Sequence, residues 1–274
     1  MYIQKFAAVL ILIGLSFNVS CQDTKAKQTS LNFVWEDDFS PEEKKKVTTW
    51  LNEVTLATIE TLGGYLFTVN LYINRKPSKE PVPWAMTIRD GEQGIQFHID
   101  TKYSLKEFQM DWTAAHELSH LSIPYVGRSN MWFSEGYASF WQWQILMQQG
   151  LYSEKEVMAK YMAKFNRIKG SYDTSESFLN TSNSLKSRHN YPGVYWGGAC
   201  YFFKVNELLK SNHNTSLGEV IKIYQTTYRL KDKGLHDVIL SLDKISKSKA
   251  FSSTLKTFES GSAKEVVLDT KLIF

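Results

Sequence analysis

His116-Glu117-Leu118-Ser119-His120 decides how this chain is read. On a helix, positions i and i+4 lie on one face about a turn apart, so both imidazoles can reach one cation without strain. Glu117, beside the first histidine, points into the same cleft, where its carboxylate can take a proton from a water polarised by that cation. A metal ion of the zinc type makes such a water acidic near neutral pH. Without a third ligand, the same pattern is no more than two histidines on a helix face.

The third ligand is sought downstream. Zinc sites that do chemistry use three protein ligands and leave one position open. Met131-Trp132-Phe133-Ser134-Glu135-Gly136-Tyr137-Ala138 offers Glu135. The stretch Arg128 to Met131 can turn the chain back, so that a second helix packs on the first and delivers this carboxylate. The competing reading is an acid placed at a helix start by the helix dipole. Gly136 weighs against that reading, since glycine in a first turn is costly unless something approaches closely.

Upstream of the motif the pattern is that of a small sheet. Asn32–Glu36 has the look of a short strand. Ser40-Pro41-Glu42-Glu43 is a helix start with a capping box, and the helix should run to Leu62 and stop at Gly63-Gly64. Leu66–Ile73 alternates apolar and polar residues, as a half-buried strand does. Trp84–Arg89 and Ile95–Ile99 read as further strands around the turn Asp90-Gly91. The second of these, Ile95–Ile99, is the one expected to lie at the edge and pair with an extended peptide. His98 on that strand is a candidate to face the cleft, whereas His213 and His236 lie in polar surroundings and read as surface residues.

From Leu105 onward the periodicity is helical: Phe108–Leu121, Phe133–Gln149 and Gly198–Lys210, with capping boxes at Ser153–Glu156 and Ser216–Glu219. The expected fold class is α+β: a small mixed sheet followed by a mostly helical half. The expected folded domain is 31–274.

The 274 residues are 43% hydrophobic, enough for a full core, and carry a formal charge of +4. No run of Lys and Arg is long enough to track a phosphate backbone, so a nucleic-acid partner is not expected. At the N-terminus, Lys5 and an apolar run from Phe6 to Phe17 read as a secretory signal over 1–20, too short to span a bilayer. Val19-Ser20 lead into Cys21 as in a bacterial lipoprotein box, with Asn18 where such boxes carry Leu. The expectation is cleavage and lipidation at Cys21, a polar tether over 21–30, and a place in the bacterial cell envelope on the periplasmic or outer-membrane side. An ordinary signal peptide cut nearby is the alternative. If Cys21 is lipidated, Cys200 has no partner for a disulfide.

His116-Glu117-Leu118-Ser119-His120 followed by Trp132-Phe133-Ser134-Glu135-Gly136-Tyr137-Ala138-Ser139 resembles the gluzincin metallopeptidases, and most of all the glycyl aminopeptidase family and its peptidase-MA-like relatives. Tyr195-Trp196-Gly197-Gly198-Ala199 resembles that family's Tyr-x-Lys-Gly-Ala segment. The resemblance implies a thermolysin-like catalytic core that binds Zn2+, with His116, His120 and Glu135 as ligands and Glu117 as general base. It further implies that Tyr195 donates a hydrogen bond to the developing oxyanion; His189 and Arg188, just upstream, are alternatives for that task. Ser139, one turn after Glu135, is expected to support a ligand. The departures are Gly197 in place of the family's Lys, and the lack of a Gly-x-Met-Glu-Asn stretch for gripping a free amine. The function implied is zinc-dependent hydrolysis of a peptide or protein substrate. Hydrolysis of a non-peptide electrophile at the same zinc, or peptide binding without catalysis, are the alternatives.

Overall fold

The computed structural model describes residues 29–89 and 91–272. The expected signal, Cys21 and most of the tether lie outside the described residues. Four strands form one sheet: β1 (Leu31–Trp35), β2 (Val69–Arg75), β3 (Trp84–Ile88) and β4 (Gly94–Ile99). Their order is β1-β2-β4-β3. β1, β2 and β4 are parallel, with Phe33 opposite Leu71 and Leu71 opposite Ile95. β3 runs antiparallel to β4, with Thr87 opposite Ile95 and Ala85 opposite Phe97. The sheet is mixed, as expected, but its edge differs from the expectation. β4 is enclosed between β2 and β3, and the two edges are β1 and β3. The hairpin through Gly91 folds β3 outward, a pairing that alternation within each strand does not determine.

The helices are α1 (Pro41–Leu62), α2 (Leu105–Met110), α3 (Thr113–Leu121), α4 (Met131–Gln148), α5 (Glu154–Tyr172), α6 (Phe178–Ser187), α7 (Tyr191–His213), α8 (Leu217–Thr227), α9 (Leu235–Ser246), α10 (Ala250–Ser260) and α11 (Ala263–Leu268). A 3-10 turn, Arg128–Asn130, leads into α4. The capping boxes at Ser40, Ser153 and Ser216 form as read, and Ser104 with Glu107 makes a further one at the start of α2. α1 ends at Gly63, whose φ of 90° is a conformation that favours glycine.

The expected helix over Phe108–Leu121 is broken in two. Asp111 adopts an extended ψ of 131°, and its carboxylate accepts from the Thr113 backbone N–H at 2.8 Å. Asp competes with the helix for backbone donors in this way and so restarts the chain as α3. No described helix is long and apolar enough to cross a membrane.

α3 is sandwiched between the sheet with α1 on one side and α4 on the other. Ala114, Ala115, Leu118 and Leu121 are buried and face that core. α4 lies against α7 over its length, and the two helices meet backbone to backbone. A Cβ on Gly136 would sit 2.3 Å from the carbonyl carbon of Gly198, and one on Gly198 would sit 1.8 Å from the carbonyl oxygen of Trp132. Gly136 is therefore required by a close approach, although α4 starts at Met131 rather than at the expected Phe133, so Gly136 is its sixth residue and not in its first turn. Gly197 has its own cause: a Cβ there would sit 2.1 Å from the hydroxyl of Tyr172. A buried tyrosine occupies the space that any side chain at position 197 would need.

Candidate metal centre

The short helix α3 presents His116 and His120 one turn apart, both buried. Their rings lie 4.9 Å apart at 84°. α4 turns back through the 3-10 turn and brings Glu135 between them. Its Oε2 is 3.2 Å from His116 Nε2 and 3.6 Å from His120 Nε2. The three ligand atoms all lie within 4.8 Å of one another. Two ligands bonded tetrahedrally to one zinc at 2.0–2.1 Å would stand roughly 3.3 Å apart, so these contacts suit a shared cation. A set of two imidazoles and one carboxylate is zinc chemistry rather than that of magnesium or calcium. The residues fit the ion.

Glu135 carries its charge although it is half-buried. Burial alone would raise its carboxyl, but the charges of His120 and His116 and the hydrogen bonds from both hold it well below the ordinary carboxylate range. For His116 the balance is reversed in sign. Burial pulls the imidazole down, yet the hydrogen bond and charge of Glu135 outweigh it, and the net shift is upward. A divalent cation would take over the role that a proton plays between these groups.

The other nitrogen of His116 is fixed as well. Its Nδ1 lies 3.0 Å from Gln142 Oε1, two turns beyond Glu135 on the same face of α4. An amide oxygen can only accept, so Nδ1 carries the hydrogen and Nε2 is left to bind. Ser139, expected in this supporting role, is buried in α4 while Gln142 performs it. The signal that points to Gln142 is a polar residue in the aromatic run Phe140-Trp141-Gln142-Trp143.

Glu117 faces the opposite wall. Its Oε2 accepts a hydrogen bond from the Thr87 hydroxyl on β3 at 2.8 Å. Tyr195, at the start of α7, lies with its ring 6.2 Å from that of His116. Burial, then the charges of Glu135 and Glu117, push its phenol far above the ordinary value, so it is protonated at neutral pH and able to donate. His189 and Arg188, the alternatives to Tyr195, are exposed and do not line the cleft. His98 does not line it either; its ring lies tilted against that of Trp84, with centroids 4.7 Å apart. His213 and His236 are exposed, as read.

The far end of α3 is held by groups that its own sequence does not reveal. The carbonyl of Leu118 accepts from the Tyr65 hydroxyl at 2.7 Å, and that of His120 from Arg89 at 2.5 Å. Leu121 accepts from Arg229 at 2.7 Å, and Ile123 from Arg89 at 3.1 Å. The last carbonyls of a helix have no partners within it, and cations near them also complement the helix dipole. Arg89 is so enclosed that burial, aided by the charge of Arg229, lowers its guanidinium to about 10, still charged at neutral pH.

His116, Glu117, His120, Glu135, Tyr195, Thr87 and Arg89 open onto one cleft of about 900 Å3, lined on one side by residues from Glu80 to Arg89 and on the other by residues of α3, α4 and α7. This is the size of a pocket that receives a small ligand or a short peptide segment.

Residues 125–228 match the M61 glycyl aminopeptidase family. The matched span contains Glu135, Gln142 and Tyr195 but begins after His116 and His120. Among curated proteins, none matches the sequence. Among solved structures, the fold is similar to that of an M1 zinc metallopeptidase from Deinococcus radiodurans, with a TM-score of 0.51 and 13% identity. That likeness covers 86% of this chain and 49% of the other, so the chain spans about half the length of the structure it resembles. The family match concerns the helical half of the chain, and the likeness to the solved structure is one of fold.

Proposed function

We propose that this chain hydrolyses peptide bonds with one zinc ion held by His116, His120 and Glu135. The observation that carries the reading is the meeting of these three donors beside Glu117, in an open cleft. A bound zinc would supply Lewis acidity, which polarises a carbonyl and lowers the pKa of water toward 7.

The chain's own groups supply the rest. Glu117 stands next to the ligand set and takes the proton of the attacking water, and Thr87 fixes the direction of its carboxylate. The protonated phenol of Tyr195 donates to the oxyanion that forms at the carbonyl, a hydrogen bond that strengthens as the charge develops. β3 is the edge strand that borders the cleft, so an extended substrate can add to it as a further strand.

The test is metal analysis of the purified domain together with a peptide-library digest, with and without chelator. Stoichiometric zinc and chelator-sensitive cleavage are expected. Absence of stoichiometric metal after purification without chelators would overturn the reading.

Export and anchoring belong to the same proposal. Lipidation at Cys21 would hold the enzyme at the bacterial cell envelope, with the polar stretch to Ser30 as a tether. Two or more acyl chains give stable anchoring where a single chain does not. Cys21→Ala should release the protein from the membrane fraction or block its processing, and membrane association that survives this change would require another anchor.

A further inference from the structure

The reaction proposed above uses His116, Glu117, His120, Glu135 and Tyr195. Three other charged side chains line the same cleft: Glu80, Arg89 and Arg128. Arg89 is committed to the carbonyls of His120 and Ile123. Arg128 is not committed. It opens the 3-10 turn on the loop that leaves α3, it is exposed, and its guanidinium has no hydrogen bond or ion pair among the described residues. A second cation stands beside it, since the Lys186 ammonium donates to the Arg128 backbone carbonyl at 2.8 Å. No carboxylate is paired with either of them among the described residues.

The charges are also ordered along the cleft. β3 and α3 run side by side in the same direction, because Thr87 meets Glu117 and Arg89 meets the carbonyl of His120. Glu80 precedes β3 and therefore lies toward the Trp84 end, whereas Arg89, Tyr125 and Arg128 lie at the end where α3 finishes. One end of the cleft is acidic and the other holds two guanidiniums, one of them free.

We propose that Arg128 binds a carboxylate of the substrate, so that the cleft selects peptides carrying a negative charge on the Arg128 side of the scissile bond. The inference rests on the peptidase reading and deepens it. A planar guanidinium without a partner suits bidentate recognition of a carboxylate. A free amino terminus would be repelled at this end. The carboxylate has two possible sources, and strand direction separates them. A peptide that adds antiparallel to β3 brings its N-terminal part to the Arg128 end, so the charge is an acidic side chain ahead of the cleaved bond. A peptide that adds parallel brings its C-terminal part there, and the charge can be its terminal carboxylate.

The experiment uses the zinc-loaded domain and matched peptides. One pair differs by Glu against Gln ahead of the cleaved bond, and the other by a free against an amidated C-terminus. Wild type should favour the charged member of one pair by about tenfold in kcat/KM, the size of one charge-assisted hydrogen bond partly open to water. In Arg128→Ala the ratio within that pair should fall toward one, and Arg128→Lys should keep part of it. Indifference of wild type to charge in both pairs, or an undiminished ratio in Arg128→Ala, would overturn the assignment. If no peptide is cleaved, the peptidase reading fails separately. The carboxylate site is then decided by calorimetric binding of the same peptides to wild type and Arg128→Ala. Tighter binding of the charged member, lost in the variant, supports it, and equal or absent binding ends it.

Discussion

The two walls of the cleft are built by opposite means. The strand wall is thin: β3 has five residues, lies at the sheet edge, and leaves Trp84 and Met86 39% and 48% exposed. The helical wall is deep: α4 and α7 touch backbone to backbone at Gly136 and Gly198, surrounded by buried aromatic side chains. Glu135, the proposed ligand, and the phenol of Tyr195 stand on the deep wall, and the surface proposed to meet a substrate stands on the thin one. Parts that must hold an ion within a few tenths of an ångström sit where packing allows no play. Parts that meet varied side chains sit where little else depends on them.

The sharpest test of this division lies where the walls meet. Glu117→Gln keeps the shape of the side chain and its contact with Thr87 but cannot take a proton, so kcat should fall about 10³-fold with the zinc content unchanged. Turnover at the wild-type rate would remove Glu117 from the role of base.

On the helical wall, Gly198→Ala should cost about 3 kcal/mol or more in urea denaturation, because its methyl would meet the Trp132 carbonyl and the helices cannot part locally. Met86→Ala on the strand wall should lie within about 0.5 kcal/mol of wild type. Equal costs would erase the contrast.

Tyr195→Phe should lower kcat about 10²-fold with KM nearly unchanged, since its hydrogen bond strengthens mainly in the transition state. A rise in KM alone would make the phenol a contact to bound substrate. A smaller effect is expected one layer back from the ion. Gln142→Leu should weaken zinc affinity about tenfold in competition with a chelator, through loss of the group that orients His116. Unchanged affinity would mean that packing alone sets the ring.

How much of this was legible in the sequence follows the same division. His116, His120 and Glu117 lie within one helical turn or so, and a repeat of that length is local. Gly136 beside Glu135 betrayed a close approach before the partner helix was known. The capping boxes that start α1, α5 and α8 were equally local. The contributions from a distance were not legible. Thr87 and Arg89 reach α3 from a hairpin, and Arg229 reaches it from more than a hundred positions away. The edge position of β3 depends on which strands pair, and alternation within a strand is silent on that. The break at Asp111 was missed because its cause is one side chain capturing one backbone N–H within an otherwise helical pattern. Gln142 was visible only as an exception in an apolar run, and Ser139, nearer in sequence, looked the better candidate.

The reach of Arg229 has a consequence for how small a piece of this protein can work alone. The proposed metal ligands occupy only the short span from His116 to Glu135, which invites trimming the chain behind α7. Arg229 follows α8, and it closes the carbonyl of Leu121 while also bonding Gln93 at 3.0 Å and lying over the ring of Phe67. A fragment ending before it would leave that buried carbonyl orphaned, at a cost of about 1–3 kcal/mol, next to the helix that bears both histidines. A fragment that keeps the helix bearing both histidines intact therefore extends past Arg229.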